Sequence, residues 1–345
     1  MPDFRFDPIS ARWVAIASNR ASRPMEFIAP EEKLSPDVVC PFCKGNEHET
    51  PKQLEVWDRE GHPVADADAD SDFDWSTRVV PNKFPAFPSD APISPFDTSV
   101  LSDLNEEFGP YDQNRSSGAQ ELIIPTPRHV SSFGDLKKAE AVIGMAAARS
   151  RFAEMKKKPG IQHAMLFMNC RSAAGASLSH AHLQLIGSPV LSQMMKERLR
   201  RNKHHLQKHG QTIMQSVIAW EKSKKDRMIA ETDDFCVVCP FASRAAYQIW
   251  LLPKNSFHDF ASIDRKMRDE LALLIRKVLR RLDKKLNSPA YNLMLHTAPF
   301  GNAEQDHWYF EIMPRLTRPA GLEWGTGIWI NPVSPEDATR HLRGK

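Results

Sequence analysis

The residues best suited to chemistry lie in one segment, Phe167-Met-Asn-Cys-Arg-Ser-Ala-Ala-Gly-Ala-Ser-Leu-Ser-His180-Ala-His182-Leu-Gln184-Leu-Ile. A loop of small residues leads into His-x-His-x-Gln. On an extended strand, residues two apart share a face, which predicts His180, His182 and Gln184 in a row. A neutral imidazole is well populated near neutral pH and is a competent nucleophile. Attack of His182 on an α-phosphorus would form a phosphoramidate and divide one hard transfer into two easier ones. Gln184 can donate to a non-bridging oxygen where charge builds up. Ser177 and the N–H groups of the loop can hold phosphate oxygens, and Gly175 allows close backbone approach to a ligand. A bare His-x-His on a half-buried strand needs no chemistry; the Gly-Ala-Ser loop and the glutamine point to phosphoryl transfer.

The second grouping starts from Cys40-Pro-Phe-Cys43. Two thiolates at this spacing are half of a tetrahedral zinc site. His129, in Thr126-Pro-Arg-His, and His180 are compatible with the other half. Such a site would tie the N-terminal loop to the segment carrying His182, so the zinc would be structural and would orient that segment. Cys236-Val-Val-Cys239 has the same spacing but no obvious histidine pair, and is read as two core cysteines; Cys170 is read as a small packed residue.

These residues need a scaffold. The 345-residue chain suggests two domains or one doubled domain. With 41% hydrophobic and 26% charged residues it has the makings of a core, and a net charge of +3 gives no field arguing for nucleic acid or membrane. The N-terminus lacks the apolar stretch of a signal peptide, and no run approaches the ~18 apolar residues of a membrane helix. A cytoplasmic setting, with reduced cysteines, is the expectation.

Residues 4–18 predict a strand, 121–124 a buried strand, 135–157 a helix with Leu136, Ala139, Val142, Ile143, Ala146 and Phe152 on one side, and 164–168 and 183–186 two more strands. The alternating Ala/Asp stretch within 64–74 reads as a solvated loop. From residue 235 the order recurs: 247–253 parallels 120–125, the helix at 264–286 parallels 135–157, and 292–295 and 308–313 parallel the two following strands. The fold class is therefore α+β with an internal duplication. It divides into 1–189, with the metal site and nucleophile, a basic helical connection at 190–232, and 233–345. The basic cluster at 196–205 reads as a solvated helix face; RNA binding is the minor alternative, since aromatic residues are few there.

Together, Cys40-Pro-Phe-Cys43, Arg78-Val-Val-Pro-Asn-Lys-Phe-Pro, Ala119-Gln-Glu-Leu-Ile-Ile-Pro-Thr-Pro-Arg-His129 and His180-Ala-His-Leu-Gln184 resemble the galactose-1-phosphate uridylyltransferases of the histidine-triad superfamily. The tail from Gly321 looks like bacterial members and the plant ADP-glucose phosphorylase branch. The resemblance implies a duplicated histidine-triad-like unit, an antiparallel sheet with packed helices, and a homodimer. It implies ping-pong transfer of UMP from UDP-glucose to galactose 1-phosphate, with His182 as nucleophile and Gln184, Ser177 and Asn169 at phosphate-side positions. It also implies zinc on Cys40, Cys43, His129 and His180, the base and ribose near Asn82 and Lys83, Arg20 and Arg23 on the diphosphate, and Glu323 on the sugar.

The chain departs from the family pattern in places. Ala181 replaces the usual proline between the histidines, Lys83 replaces an acid, and Leu322 replaces a tyrosine near the sugar. Some members hold a second metal in the C-terminal half. Here His296 is kept, Glu311 and Met313 occupy other histidine positions, and Glu197 is a weak candidate ligand, so no tight second metal is expected. These changes leave open an NDP-sugar phosphorylase that uses ADP-glucose, with phosphate as acceptor, or a hydrolase. A non-catalytic RNA- or partner-binding protein is the remaining alternative. Membrane partners are not expected.

Overall fold

The computed structural model describes residues 2–22, 39–64, 74–89, 116–255, 259–301 and 306–344. Arg23, the acidic stretch 65–73 and residues 90–115 of the long loop lie outside them.

Two hairpin strands come first, β1 (Asp3–Asp7) and β2 (Arg12–Ile16), where the sequence pattern suggested one. Then follow β3 (Glu55–Trp57), β4 (Pro63–Val64), β5 (Thr77–Pro81) and β6 (Ala119–Ile124). Helix α1 (Lys138–Lys157), β7 (His163–Cys170) and β8 (Leu183–Ser188) complete the first strand–helix–strand–strand unit. Helices α2 (Gln193–His209) and α3 (Ile213–Lys224) lead to β9 (Met228–Glu231) and β10 (Phe235–Val238). The unit then recurs as β11 (Ile249–Pro253), α4 (Arg265–Leu286), β12 (Tyr291–His296) and β13 (Tyr309–Pro314). Helix α5 (Gly321–Thr326), β14 (Trp329–Asn331) and α6 (Pro335–Arg343) close the described chain.

Eleven strands form one antiparallel sheet in the order β4-β3-β5-β6-β8-β7-β12-β13-β11-β10-β9. The order is mirrored about the β7–β12 pair, as an internal duplication requires: β8, β6, β5 on one side answer to β13, β11, β10 on the other. A smaller sheet, β1-β2-β14, stands apart.

Strand alternation fixes two faces. On β7 the side chains of Ala164, Leu166, Met168 and Cys170 are buried in one core with α1 and α4, while Phe167 and Asn169 point the other way. On β12, Leu293 and Leu295 join the same core and Asn292, Met294 and His296 face opposite. The second face carries Asn169 and Asn292, with Gln184 of β8. Helix α1 can seat close to the sheet because β8 has Gly187 beneath it: a Cβ there would meet Met155 Sδ at 2.5 Å.

Two sequence readings shift. The first helix starts at Lys138, because Ser132 accepts the Gly134 N–H and caps a separate 3₁₀ turn at Phe133–Asp135; Ala139 is exposed and Ala141 takes the buried position instead. The basic helix α2 is not all solvated face. Arg198 is buried against Asp306 at 2.6 Å, and Asn202 Oδ1 accepts the Ile213 N–H at 2.9 Å, so these polar residues dock the helix. Among the described residues, no helix is long and apolar enough to cross a membrane.

Candidate active site

Cys40, Cys43, His129 and His180 come together with their ligand atoms all within 4.8 Å of one another. Cys43 Sγ lies 3.3 Å from His129 Nδ1 and 3.6 Å from His180 Nδ1, and Cys40 Sγ lies 3.5 Å from His180 Nδ1. These are the ligand–ligand spacings of a tetrahedron with metal bonds of roughly 2.0–2.3 Å. The opposite ring nitrogens are held as well: His180 Nε2 is 3.0 Å from the Thr126 carbonyl, and His129 Nε2 is 2.9 Å from Ser179 Oγ. With Nε2–H donating outward, each Nδ1 lone pair points into the cluster, the outer-shell arrangement of a histidine metal ligand. Burial, reinforced by the neighbouring Cys40, pushes the Cys43 thiol up to about 11, and burial brings His180 down to about 4. The residues fit a metal of the Cys₂His₂ class.

His182 stands beside this cluster and is 6% exposed. Its Nδ1 lies 2.8 Å from the His180 carbonyl, so Nδ1–H donates and the free lone pair is on Nε2. Burial lowers its pKa against the smaller opposing effect of that hydrogen bond, which favours the neutral, nucleophilic ring. Neither histidine lies in a strand: β8 begins at Leu183. The Ala181 N–H is bonded instead to the Val130 carbonyl at 2.6 Å, which pins the approach to β8 against the chain after β6. Of the expected row of three, only Gln184 is on the sheet.

The residues expected on the phosphate side are placed by β7, β8 and the loop between them. Gln184 pairs across the sheet with Phe167, two residues from Asn169. Gly175 closes the turn at Ser172–Ala174 with φ +88°, a left-handed conformation that disfavours a side chain. Its need is therefore conformational as much as one of close approach. Ser177 is exposed on the same loop, ahead of His180. Asn82 is joined to β6 by its N–H to the Gln120 carbonyl at 2.9 Å, while Lys83 is exposed with Nζ 3.5 Å from the Glu49 carbonyl.

Other expected residues are not assembled here. Arg20 is exposed on a short 3₁₀ turn at Ser18–Ser22, beyond the small sheet, with no bond to the His182 group among the described residues. Arg23 lies outside the described residues. Glu323 is on α5, where Oε2 accepts the Ala320 N–H at 2.9 Å as a helix cap.

In the C-terminal half, Glu311 is buried and accepts from His296 at 2.8 Å, Arg244 at 2.9 Å and Gln248 at 2.5 Å. Its carboxylate is occupied by an arginine, an amide and an imidazole. Glu197 pairs with Arg200 at 2.8 Å. Cys236 and Cys239 are fully buried apolar-core residues, as read from their flanks.

Three contacts were not legible from the motifs. Phe42, inside the Cys-x-x-Cys turn, packs edge-on against His182 with ring centroids 5.1 Å apart. Gln120 Nε2 donates to Gln184 Oε1 at 3.2 Å. Asn292, from the second half, donates through Nδ2 to Asn169 Oδ1 and to the Ala174 carbonyl, each at 2.8 Å.

Comparison with known proteins bears on the family and the fold. The family model described as galactose-1-phosphate uridyl transferase, C-terminal domain, matches residues 197–322. The chain is 30% identical to ADP-glucose phosphorylase of Arabidopsis thaliana, covering 99% of this chain and 92% of that protein. It is 24% identical to the galactose-1-phosphate uridylyltransferase of Thermotoga maritima, covering 99% and 98%. The crystal structure of the Arabidopsis ADP-glucose phosphorylase with bound ADP-glucose superposes with a TM-score of 0.80 at 28% identity, over 100% of this chain and 99% of that one.

Proposed function

Since the chain belongs to the galactose-1-phosphate uridylyltransferase family of nucleotidyltransferases, we propose that it transfers a nucleoside monophosphate from a nucleoside diphosphate sugar through a covalent adduct on His182. The observation that carries the reading is the 2.8 Å approach of His182 Nδ1 to the His180 carbonyl, a group that can only accept. The bond from Nδ1–H to the His180 carbonyl leaves Nε2 unprotonated and fixes the ring.

In the first half reaction, Nε2 attacks the α-phosphorus. A P–N bond forms, the P–O bond to the β-phosphate breaks, and sugar 1-phosphate leaves with the electron pair. In the second, a phosphate oxygen of the acceptor attacks the same phosphorus, the P–N bond breaks, and neutral His182 is regenerated. Gln184, Asn169 and Ser177 hold the non-bridging oxygens, where charge develops. Gly175 shapes the loop that carries Ser177. Asn82 and Lys83 hold base and ribose; the roles of Arg20 and Arg23 on the diphosphate and of Glu323 on a sugar hydroxyl rest on the family resemblance alone, since Arg20 and Glu323 are not assembled with His182. Cys40, Cys43, His129 and His180 would hold zinc, which when bound supplies structural bracing of the His182 segment.

The donor and acceptor are UDP-glucose and galactose 1-phosphate, a cytoplasmic reaction of a homodimer. A second reading has ADP-glucose as donor and orthophosphate as acceptor. It is favoured by the 30% identity to the Arabidopsis phosphorylase and by the changes at Lys83 and Leu322. Initial rates with the two donor–acceptor pairs decide between them. Turnover of UDP-glucose only with galactose 1-phosphate supports the first. Turnover of ADP-glucose with phosphate, and none of UDP-glucose, replaces it with the second.

A further inference from the structure

We infer that Gln120 and Asn292 are positioning residues that orient the amides of Gln184 and Asn169, so that both present N–H donors to the transferred phosphoryl group. The inference rests on the proposed nucleotidyl transfer.

An amide side chain has an acceptor end and a donor end of nearly the same shape. Near an anionic phosphate the two orientations have opposite consequences: the NH₂ end stabilises it and the oxygen repels it. A free Asn or Gln can turn over. Each of these two is fixed by a chain of bonds that ends on a backbone group, whose polarity cannot change.

The first chain starts at the Ala86 N–H, which can only donate. It meets Gln120 Oε1 at 2.9 Å. Gln120 must therefore offer Nε2 on its other side, and Nε2 reaches Gln184 Oε1 at 3.2 Å. Gln184 is left with its own NH₂ free for the site. The second chain starts at the Ala174 carbonyl, which can only accept. It takes Asn292 Nδ2 at 2.8 Å. The same nitrogen lies 2.8 Å from Asn169, which must answer with Oδ1. Asn169 Nδ2 then faces outward, and its 3.4 Å approach to the Gly175 carbonyl independently requires a donor there.

The two chains converge on one face, since Gln184 pairs with Phe167 and Asn169 follows two residues later on β7. Asn292 pairs directly with Asn169 across the seam between the two repeats. The repeat without its own nucleophile thus sets the geometry of the one that has it. Neither Gln120 nor Asn292 needs to touch the substrate.

The test uses Asn292→Ala, Asn292→Asp, Gln120→Ala and Gln120→Glu in the full-length protein, alone and on Asn169→Ala or Gln184→Ala backgrounds. The readouts are the rate of nucleotidyl-enzyme formation from UDP-glucose or ADP-glucose, the calorimetric affinity for UDP and ADP, and the melting temperature. The carboxylate variants cannot donate, so they turn the neighbouring amide and place its oxygen toward the phosphate. They should slow adduct formation more than the alanine variants, by on the order of tenfold to a hundredfold. On the Asn169→Ala background, Asn292→Ala should cost nothing further, because coupled residues are non-additive; the Gln120 and Gln184 pair should behave alike. Asn292→Ser, which keeps one hydroxyl donor, should fall between Asn292→Ala and wild type and serves if Asn292→Asp does not fold. Additive losses, or carboxylate variants as fast as wild type, overturn the inference while leaving the transfer reading in place. A wild-type protein that forms no adduct and binds neither UDP nor ADP overturns that reading and this inference together.

Discussion

The ring of Phe42 lies edge-on against the ring of His182, 5.1 Å between centroids, and is also 5.9 Å from that of His180. Phe42 sits between the two cysteines of the candidate metal cluster, so that loop touches the proposed nucleophile directly. Bracing by a metal held there would reach His182 by two routes: the His180 carbonyl bonded to Nδ1, and the Phe42 ring packed on the imidazole. Phe42→Ala should leave the four ligands and the metal content intact while loosening His182. A fall in adduct-formation rate of about tenfold to a hundredfold, from the misplacement of a reacting group, is expected in stopped-flow quench. An unchanged rate would show that the carbonyl alone orients the ring.

Removing the metal should act on stability before it acts on chemistry. With no ion, two thiols and two imidazoles are left facing one another, and the turn of Cys40–Cys43 loses its tie to His129 and His180. Binding of a structural metal contributes directly to folding free energy. Chelated protein, verified as metal-free by elemental analysis, should melt lower by at least ~5 °C, and zinc should restore it. An unchanged melting temperature would remove the bracing role.

Glu311 predicts a pH dependence that belongs to the other half. Burial would raise its carboxyl, but Arg244, His296 and Trp250 outweigh that and hold it at about 2. An unfolded Glu titrates near ~4.3. Since the folded value is depressed, the stabilisation is fully present above that unfolded value and is lost as pH falls toward 2. Glu311→Gln should therefore destabilise by ~3–5 kcal/mol at pH 7, where Arg244 loses its buried partner. The gap to wild type should narrow below about pH 4. Denaturant melts at pH 7, 5 and 3.5 check this; a gap that stays constant would mean the ion pair adds nothing.

The duplicated scaffold was readable because its signals are local. The apolar stripe of α4 and the short apolar runs of β6, β8 and β12 follow from periodicity alone. The four-residue cluster was readable because Cys-x-x-Cys needs two further ligands, and His129 and His180 stand in the segments that carry the family resemblance. The contacts that orient the chemistry were not readable. Asn292 is 123 residues from Asn169 and Gln120 is 64 from Gln184, and nothing in the local pattern of either marks a partner. The pairing emerges only once β7 meets β12 and β6 meets β8. His180 and His182 were placed on a strand by alternation, yet the bond from Ala181 to Val130 holds them off the ladder. Arg20 and Glu323 came from resemblance, and their places on the Ser18–Ser22 turn and on α5 could not be inferred from spacing.

Covalent transfer through His182 is tested most directly by the intact mass of the zinc-loaded protein after separate incubation with UDP-glucose and with ADP-glucose, at neutral to alkaline pH where a phosphoramidate survives. His182→Gly is the control. Covalent transfer through His182 gives a nucleoside monophosphate adduct on the wild type and none on the variant, its mass naming the base. An adduct of equal yield on His182→Gly would place the chemistry on another residue. No adduct with either donor, in rapid-quench samples as well as at equilibrium, would contradict covalent transfer through His182.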